Sequence, residues 1–166
     1  FIVDNLINSD INTLNKIENI TKKKVCFNEI DVRDAEKLNK VFEKNNLDAV
    51  IHLSGLKAVG ESVLSPLEYY SSNVTGSISL FKIMQKHNVK KIVFSSSATV
   101  YGNPQYLPID EDHPINAINP YGSTKIMIED ILLDLSKSDK DWSFISLRYF
   151  NPIGSHESAI IGDNPT

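Results

Sequence analysis

Short apolar runs alternate with helical patterns along the chain, and this alternation constrains the fold more than any other feature. The apolar runs occupy residues 1–4, 24–30, 48–53, 89–97 and 142–149. The segments between them, among them residues 10–21 and 66–87, carry apolar side chains at helical spacing. Strands that alternate with helices in this way form a parallel sheet joined by right-handed crossovers. The sequence therefore predicts an α/β fold, a Rossmann-like doubly wound parallel sheet.

Length, charge and cysteine content exclude several classes of protein. The chain has 166 residues, enough for one domain with its own core. Its formal net charge of -4 gives no electrostatic footprint for nucleic acid, and it has no apolar run of the roughly 18 residues that cross a bilayer. The single cysteine, Cys26, cannot form an intrachain disulfide, so we expect a buried thiol in a cytoplasmic protein without nucleic-acid or membrane partners.

Polar residues that follow the strands form the candidate binding edge. In a parallel sheet, ligands bind beyond the carboxyl ends of the strands. Asp4 and Ser97 are the last residues of their predicted strands, and Asp31 and the loop at residues 54–60 follow the ends of two others. His113 and His156 lie in loops without metal-ligand spacing, so no metal site is predicted.

Tyr121 and Lys125 form the candidate catalytic pair. Their i, i+4 spacing on a predicted helix places the phenol and the ammonium on one face. A phenol with a pKa of about 10 is a poor base at neutral pH, and a nearby cation lowers that pKa. Ser97 can hydrogen-bond the same substrate oxygen that Tyr121 deprotonates. A bare Tyr-x-x-x-Lys also fits an ordinary amphipathic helix, so the neighbouring motifs must decide.

Several ordered motifs carry a family resemblance. Residues 95–102 read Ser-Ser-Ser-Ala-Thr-Val-Tyr-Gly, residues 120–125 read Pro-Tyr-Gly-Ser-Thr-Lys, and residues 147–152 read Leu-Arg-Tyr-Phe-Asn-Pro. Together they resemble the extended short-chain dehydrogenase/reductase superfamily. Within it, residues 52–62 with residues 66–70 look like the UDP-glucose 4-epimerase family, and the likeness extends over the whole chain.

The resemblance implies an isomerase that holds NAD tightly and interconverts UDP-galactose and UDP-glucose through a 4-keto intermediate. Tyr121 matches the base that takes the proton from the sugar 4-hydroxyl. Lys125 matches the lysine that lowers the pKa of that tyrosine and bonds the nicotinamide ribose, and Ser97 matches the residue that shares the 4-oxygen. The long helical region at residues 66–87 implies a homodimer.

The same matching gives the binding residues. Asp4 is placed to accept hydrogen bonds from the adenosine ribose and to repel a 2′-phosphate, which favours NAD over NADP. The matched cofactor contacts are Asp4, Asn5, Asn8, Ser9, Asp31, Val32, Leu53, Ser54, Gly55, Lys57, Ser72, Ser97, Tyr121, Lys125 and Phe150. The matched contacts of the UDP-sugar substrate are Lys57, Ser97, Tyr121, Tyr149 and Asn151.

The chain also departs from the family pattern. Ser71 and Ser72 stand where the family often has Asp-Asn, and the family's first strand and Gly-x-x-Gly-x-x-Gly loop do not precede Phe1. We therefore expect an incomplete sheet, with strands 1–4 and 48–53 lacking a shared central partner. We also expect residues 1–150 to form a partial NAD-binding Rossmann domain and residues 151–166 to begin a substrate-binding region. Such a chain is expected to be part of a longer polypeptide and to bind NAD poorly on its own.

Three alternatives remain open at this stage. A nucleotide-sugar 4,6-dehydratase needs an acid–base pair beside the serine, where this chain has Ala98 and Thr99. Decarboxylating or reducing relatives share the first oxidation. A non-catalytic nucleotide-sugar-binding module does not require a poised phenolate.

Other conspicuous residues have structural interpretations. His52 is expected to be a hydrogen-bonded core histidine, and Arg148 an ion-pair partner. Asn73 begins an Asn-Val-Thr glycosylation sequon that we interpret as accidental, because it lies inside a helical pattern. The run that contains Ile145 and Leu147 is expected to be strand core.

Overall fold

The computed structural model describes residues 1–162, which alternate strands and helices as predicted. The strands are β1 (Ile2–Asp4), β2 (Phe27–Glu29), β3 (Val50–His52), β4 (Lys91–Ser97) and β5 (Ser143–Tyr149). The helices are α1 (Asn12–Thr21), α2 (Ala35–Lys44), α3 (Val59–Leu64), α4 (Pro66–Tyr69), α5 (Gly76–Lys86) and α6 (Pro120–Ser138). A π-helical turn (Tyr70–Thr75) joins α4 to α5, and a 3-10 turn (Ala98–Tyr101) follows β4. Residues 163–166 of the predicted second unit lie outside the described residues.

The strands form two parallel sheets. β1 pairs with β2, so that Asp4 lies beside Glu29. β3, β4 and β5 pair in that order, with Ile51 beside Val93 and Val93 beside Ile145. The α/β class and the parallel strands are confirmed. β1 and β3 were predicted to lack a shared central strand, and the structure places them in different sheets.

Helices cover one face of the three-stranded sheet. The core on this face combines α2, α5, α6 and the inward residues of β4, and its members include Leu38, Phe42, Leu80, Phe81, Met84, Ile92, Phe94, Ile128, Leu132 and Trp142. Side chains on the opposite face stay open, with Ile51 70% exposed and Ile145 57% exposed. The predicted core positions of Ile145 and of Leu147, which is 37% exposed, were therefore wrong, because successive strand residues point to opposite faces and only one face is packed.

Cys26 was expected to be buried, and this was also wrong, because its side chain is exposed. The residue lies immediately before β2, a three-residue strand of the two-stranded sheet, and its backbone carbonyl accepts a hydrogen bond from the Ile2 amide at 2.8 Å. A strand of a two-stranded sheet has few neighbours that cover its side chains, so apolar neighbours in the sequence did not produce burial.

The start of α6 is fixed by a cap and a close approach. The Asn119 side chain accepts a hydrogen bond from the Gly122 amide at 2.8 Å, and Pro120 occupies the first turn. A Cβ on Gly122 would lie 2.9 Å from the Thr99 carbonyl oxygen, so glycine lets the helix start approach the turn that follows β4. This contact brings α6 beside the carboxyl end of β4.

Candidate active site

Ser97, Tyr121 and Lys125 lie together where β4 meets α6. The Lys125 side chain is only 5% exposed, and its Nζ donates a hydrogen bond to the Ser95 carbonyl at 2.8 Å. The same Nζ lies 5.0 Å from the Phe94 ring centroid and 5.5 Å from the Tyr121 ring centroid. Ser97 is the last residue of β4. The structure therefore places a serine, a phenol and a buried cation at one strand end.

Burial dominates the ionisation of this pair. It raises the pKa of the Tyr121 phenol above its usual value, and a hydrogen bond with Ser97 only partly opposes the shift. Burial also lowers the pKa of the Lys125 ammonium to about 8, while the Glu129 carboxylate opposes that shift. That Lys125 lowers the pKa of Tyr121 stays a prediction, and in this structure burial is the largest influence on the phenol. The ammonium is held on the Ser95 carbonyl.

A second group of predicted residues meets beyond the ends of β1 and β2. One Asp4 carboxylate oxygen accepts hydrogen bonds from the Leu6 amide and the Ser9 hydroxyl, each at 2.7 Å. The Asn5 side-chain amide donates to Asp31 at 2.9 Å. Carboxylates and amides at a strand end are suited to hold the hydroxyls and base of a nucleoside.

Arg33 connects this group to the π-helical turn. Its guanidinium makes two hydrogen bonds to the Asp31 carboxylate, at 3.0 and 2.8 Å, and reaches Glu68 and the Ser71 hydroxyl, each at 3.2 Å. The arginine holds the pKa of Asp31 well below its usual range, so this carboxyl stays ionised at physiological pH. Ser72 follows Ser71 in the same turn and is half-buried.

Asn73 joins the loop after β3 to α6. Its side chain accepts from the Leu56 amide at 2.8 Å and donates to the Leu56 carbonyl at 3.0 Å and to the Thr124 hydroxyl at 3.2 Å. Gly55 precedes this contact with φ of 144°, and a Cβ there would lie 2.9 Å from the Asn73 amide oxygen. Asn73 is 2% exposed, so its sequon is not available for glycosylation in the folded chain.

Comparisons with known proteins show the family of this chain. The family model described as the NAD dependent epimerase/dehydratase family matches residues 3–163. The chain belongs to the NAD dependent epimerase/dehydratase family.

Individual members of this family are similar over nearly the whole chain. A UDP-glucose 4-epimerase of Dictyostelium discoideum is 52% identical over 99% of this chain and 48% of its own length. The UDP-glucose 4-epimerase of Bacillus subtilis (strain 168) is 54% identical over 99% of this chain and 48% of its own length. A crystal structure of UDP-glucose 4-epimerase from Bifidobacterium longum, in complex with NAD+ and UDP, aligns with a TM-score of 0.96 and 52% identity, covering 98% of this chain and 49% of that one. The chain spans about half the length of the curated relatives it matches.

The remaining predicted site residues differ in burial. Val32 packs against the core, and Gly76 gives it room, since a Cβ there would lie 2.7 Å from a Val32 methyl. Others have exposed side chains at or after the ends of β1, β3 and β5: Asn8, Leu53, Ser54, Lys57, Tyr149, Phe150 and Asn151. Their contacts with cofactor and substrate stay predictions.

Sequence reasoning missed the roles of Tyr69 and Glu129. The Tyr69 ring is fully buried edge-on against Tyr121, with ring centroids 6.5 Å apart, and its hydroxyl donates to the Ala58 carbonyl at 2.8 Å. Glu129 lies one turn beyond Lys125 and pairs with Arg148 at 2.7 Å. The i, i+4 spacing of Lys125 and Glu129 already indicated in the sequence that Glu129 lies on the same face of the helix as Lys125. The structure confirms the ion-pair interpretation of Arg148.

His52 has the structural role that was predicted. Its Nε2 lies 2.8 Å from the Ser77 hydroxyl inside the core, and burial lowers the pKa of the imidazole to about 3, so the ring is neutral. Residues 1–162 contain no group of three or more His, Cys, Asp or Glu side chains placed to hold a metal ion. No helix in the same range combines the length and apolarity needed to cross a membrane.

Proposed function

We propose that this chain carries the catalytic residues and the NAD-binding edge of a UDP-hexose 4-epimerase, which interconverts UDP-galactose and UDP-glucose. The observation that carries the proposal is the meeting of Ser97, Tyr121 and buried Lys125 at the end of β4. Relatives named UDP-glucose 4-epimerase, similar over 99% of the chain, support it. So does the alignment with a structure that contains NAD+ and UDP.

Tyr121 acts as the base in this proposal. Its phenolate takes the proton from the sugar 4-hydroxyl and later returns a proton to the same oxygen, which makes the step reversible. Ser97 orients that oxygen. The Ser97 Oγ accepts from the Thr99 amide at 3.2 Å and from the Thr99 hydroxyl at 3.0 Å, so its own O–H is directed elsewhere and can donate to the sugar 4-oxygen.

The pKa shifts of Tyr121 and Lys125 fit a site that gains a positive charge when NAD binds. Burial raises the pKa of Tyr121 and lowers that of Lys125, and both shifts oppose the phenolate–ammonium state that the reaction needs. Bound NAD supplies a hydride acceptor for C4 and a positive ring that favours the phenolate. Of the three N–H donors of Lys125, one bonds the Ser95 carbonyl, which leaves two for ribose oxygens.

The residues beyond β1 and β2 fit the adenosine half of the cofactor. The Asp4 carboxylate accepts hydrogen bonds well and would repel a 2′-phosphate, which favours NAD over NADP. Asn5 and Asp31 form the adjoining polar wall, with their side chains 2.9 Å apart. The remaining cofactor and substrate contacts proposed from the sequence belong to the open side of the same edge.

The proposal also covers the domain organisation, the oligomeric state and the cellular location of the protein. Residues 1–150 would form the NAD-binding domain, and residues 151–166 would begin the substrate-binding region. A homodimer would cover exposed apolar side chains on neighbouring helices, among them Val63, Leu67 and Met127. A chain with one exposed cysteine and no possible intrachain disulfide suits the reducing cytoplasm.

The nearest rival, a 4,6-dehydratase, lacks support at the site. Elimination of water needs an acid–base pair beside Ser97, and the next two residues are Ala98 and Thr99. Thr99 donates its hydroxyl to Ser97 at 3.0 Å, and neither side chain ionises at neutral pH.

The test is to follow UDP-galactose by proton NMR in D₂O with the protein at its natural length and added NAD. The proposal predicts UDP-glucose that keeps its C4 hydrogen, because hydride returns to the carbon it left. A 4-keto-6-deoxy sugar labelled with deuterium would identify a dehydratase instead. UDP-galactose that binds but stays unchanged would identify a binding module and overturn the proposal.

A further inference from the structure

The last three residues of β4 each contact α6. Ser95 offers its carbonyl to Lys125, the Ser96 hydroxyl donates to the Glu129 carboxylate, and the Ser97 hydroxyl acts on Tyr121 by lowering the pKa of the phenol. The partners on the helix are spaced four residues apart, so they form one face of α6. Two of these contacts belong to the proposed catalytic group. The third, between Ser96 and Glu129, has no role in the chemistry described so far.

Glu129 is the centre of a larger network. Arg148 donates to one Glu129 oxygen through Nε at 3.1 Å and to the other through Nη2 at 2.7 Å. The remaining Arg148 nitrogen, Nη1, donates to the Tyr101 hydroxyl at 3.1 Å, and the guanidinium lies 5.1 Å from the Tyr101 ring centroid. Ser96, Glu129, Arg148 and Tyr101, here the Glu129 network, thus join α6 to β4, β5 and the 3-10 turn.

The position of the network points to more than stability. The Glu129 side chain is 12% exposed, and the cost of removing such a carboxylate from water can exceed the gain from its ion pair, so the pair is weak evidence of a purely stabilising role. Ser96 and Arg148 are paired neighbours on β4 and β5, and each precedes a predicted site residue, Ser97 or Tyr149. A shift of the network would therefore move the strand ends and the catalytic face of α6 together.

We propose that Glu129, held by Ser96 and Arg148, is a positioning residue that fixes Lys125 and Tyr121 against the end of β4 and keeps a negative charge one turn from Lys125. This inference rests on the proposed function, because it assigns the network to the same reaction. Glu129 contacts neither of the two ligands in the proposal and acts through its neighbours.

The charged and titratable groups around Lys125 make the electrostatic part testable. Tyr121 and Glu129 lie on α6, and the neutral His52 lies on β3. Arg148 lies on β5 and is already paired with Glu129. β4 contributes the Phe94 ring and the Ser95 carbonyl. Removing the Glu129 charge leaves burial unopposed, so the pKa of Lys125 falls further below its usual value.

The experiment compares Glu129→Gln with Asp139→Asn. Asp139 pairs with Lys90 at 2.8 Å near the opposite end of β4, so its variant removes a partly buried ion pair away from the site. Two readouts are taken on the protein at its natural length. They are the titration of Lys125 by carbon NMR of the lysine side chain, assigned with Lys125→Met, and kcat and KM for UDP-galactose.

Glu129→Gln is expected to titrate Lys125 at lower pH and to lower kcat about tenfold with a smaller change in KM. Asp139→Asn should leave both unchanged. Ser96→Ala, a milder change that only loosens Glu129, should shift both in the same direction, and Glu129→Asp should recover part of the loss. The proposal is overturned if Lys125 titrates alike in the parent and in Glu129→Gln, or if Asp139→Asn shifts it equally. The titration needs no turnover, so a protein that fails to epimerise would refute the proposed function and still decide the role of Glu129.

Discussion

At the scale of single residues, burial disfavours the charged states of two groups that the proposed reaction uses. The Tyr121 phenol is made harder to ionise, and the Lys125 ammonium is made easier to lose. A lysine kept at such a position lowers the stability of the folded chain near neutral pH. Its contacts with Ser95 and Phe94 fix the orientation of the Lys125 side chain, and the price is this loss of stability.

The cost predicts a pH-dependent effect of Lys125→Met on stability. The folded pKa of Lys125 is about 8, below the usual lysine value of 10.5, so the unfolded chain holds the proton more tightly. The unfavourable contribution is fully present below pH 8 and is lost as the pH rises towards 10.5. The unfolding free energy of Lys125→Met minus that of the parent should therefore fall by about 3 kcal/mol across this range.

Urea titrations at several pH values measure this difference, with fluorescence of the single, buried Trp142 as the signal. A difference that does not change between pH 8 and 10.5 would contradict the burial of a charged Lys125.

At the scale of elements, the loop after β3 depends on one glycine. Gly55 has φ of 144°, and its missing Cβ makes room for the buried Asn73 amide. Gly55→Ala should therefore destabilise the fold by about 2 kcal/mol, because the backbone is strained and Asn73 must give up hydrogen bonds to move. Urea unfolding measures the change.

Gly60→Ala is the matched control. Gly60 lies in α3 with nothing within 4 Å of an added Cβ, so alanine there should be neutral or stabilising by up to about 1 kcal/mol. Equal losses in the two variants would show that Gly55 is not specially placed.

The secondary-structure elements also show how much of the fold could be predicted from the sequence. Alternating patterns predicted β4, β5 and α6, and the Tyr-x-x-x-Lys spacing predicted that Tyr121 and Lys125 lie on one face of α6. The π-helical turn was missed because residues 66–87 carry one continuous helical pattern, and the extra residue per turn leaves no local signature. The pairing of Glu129 with Arg148 joins residues 19 positions apart, so only the packing of β5 against α6 reveals it.

At the scale of the whole molecule, the described chain has one packed and one open sheet face. Ile51, Val93 and Ile145 form a row across the three-stranded sheet, and helices cover only the other side. Exposed apolar rows of this kind favour association. The 166-residue chain, taken as a separate polypeptide, is therefore expected to self-associate as its concentration rises.

A charge in that row should reduce the association. Ile145→Glu places a carboxylate in the open face, whereas Ile153→Glu makes the same charge change at a side chain that is 98% exposed outside the strands. Sedimentation velocity at several concentrations should show a larger monomer fraction for Ile145→Glu only. The same shift in both variants would mean that net charge, and not the open face, controls association.

The most direct test of the central claim is the rate of UDP-galactose conversion by Tyr121→Phe, measured beside the parent protein at its natural length with NAD present. The phenylalanine keeps the ring that packs 6.5 Å from Tyr69 and removes only the hydroxyl. The account predicts that the parent forms UDP-glucose and that kcat of the variant falls by about 1,000-fold while NAD binding is retained. A variant that still epimerises within about tenfold of the parent rate would contradict the assignment of Tyr121 as the base.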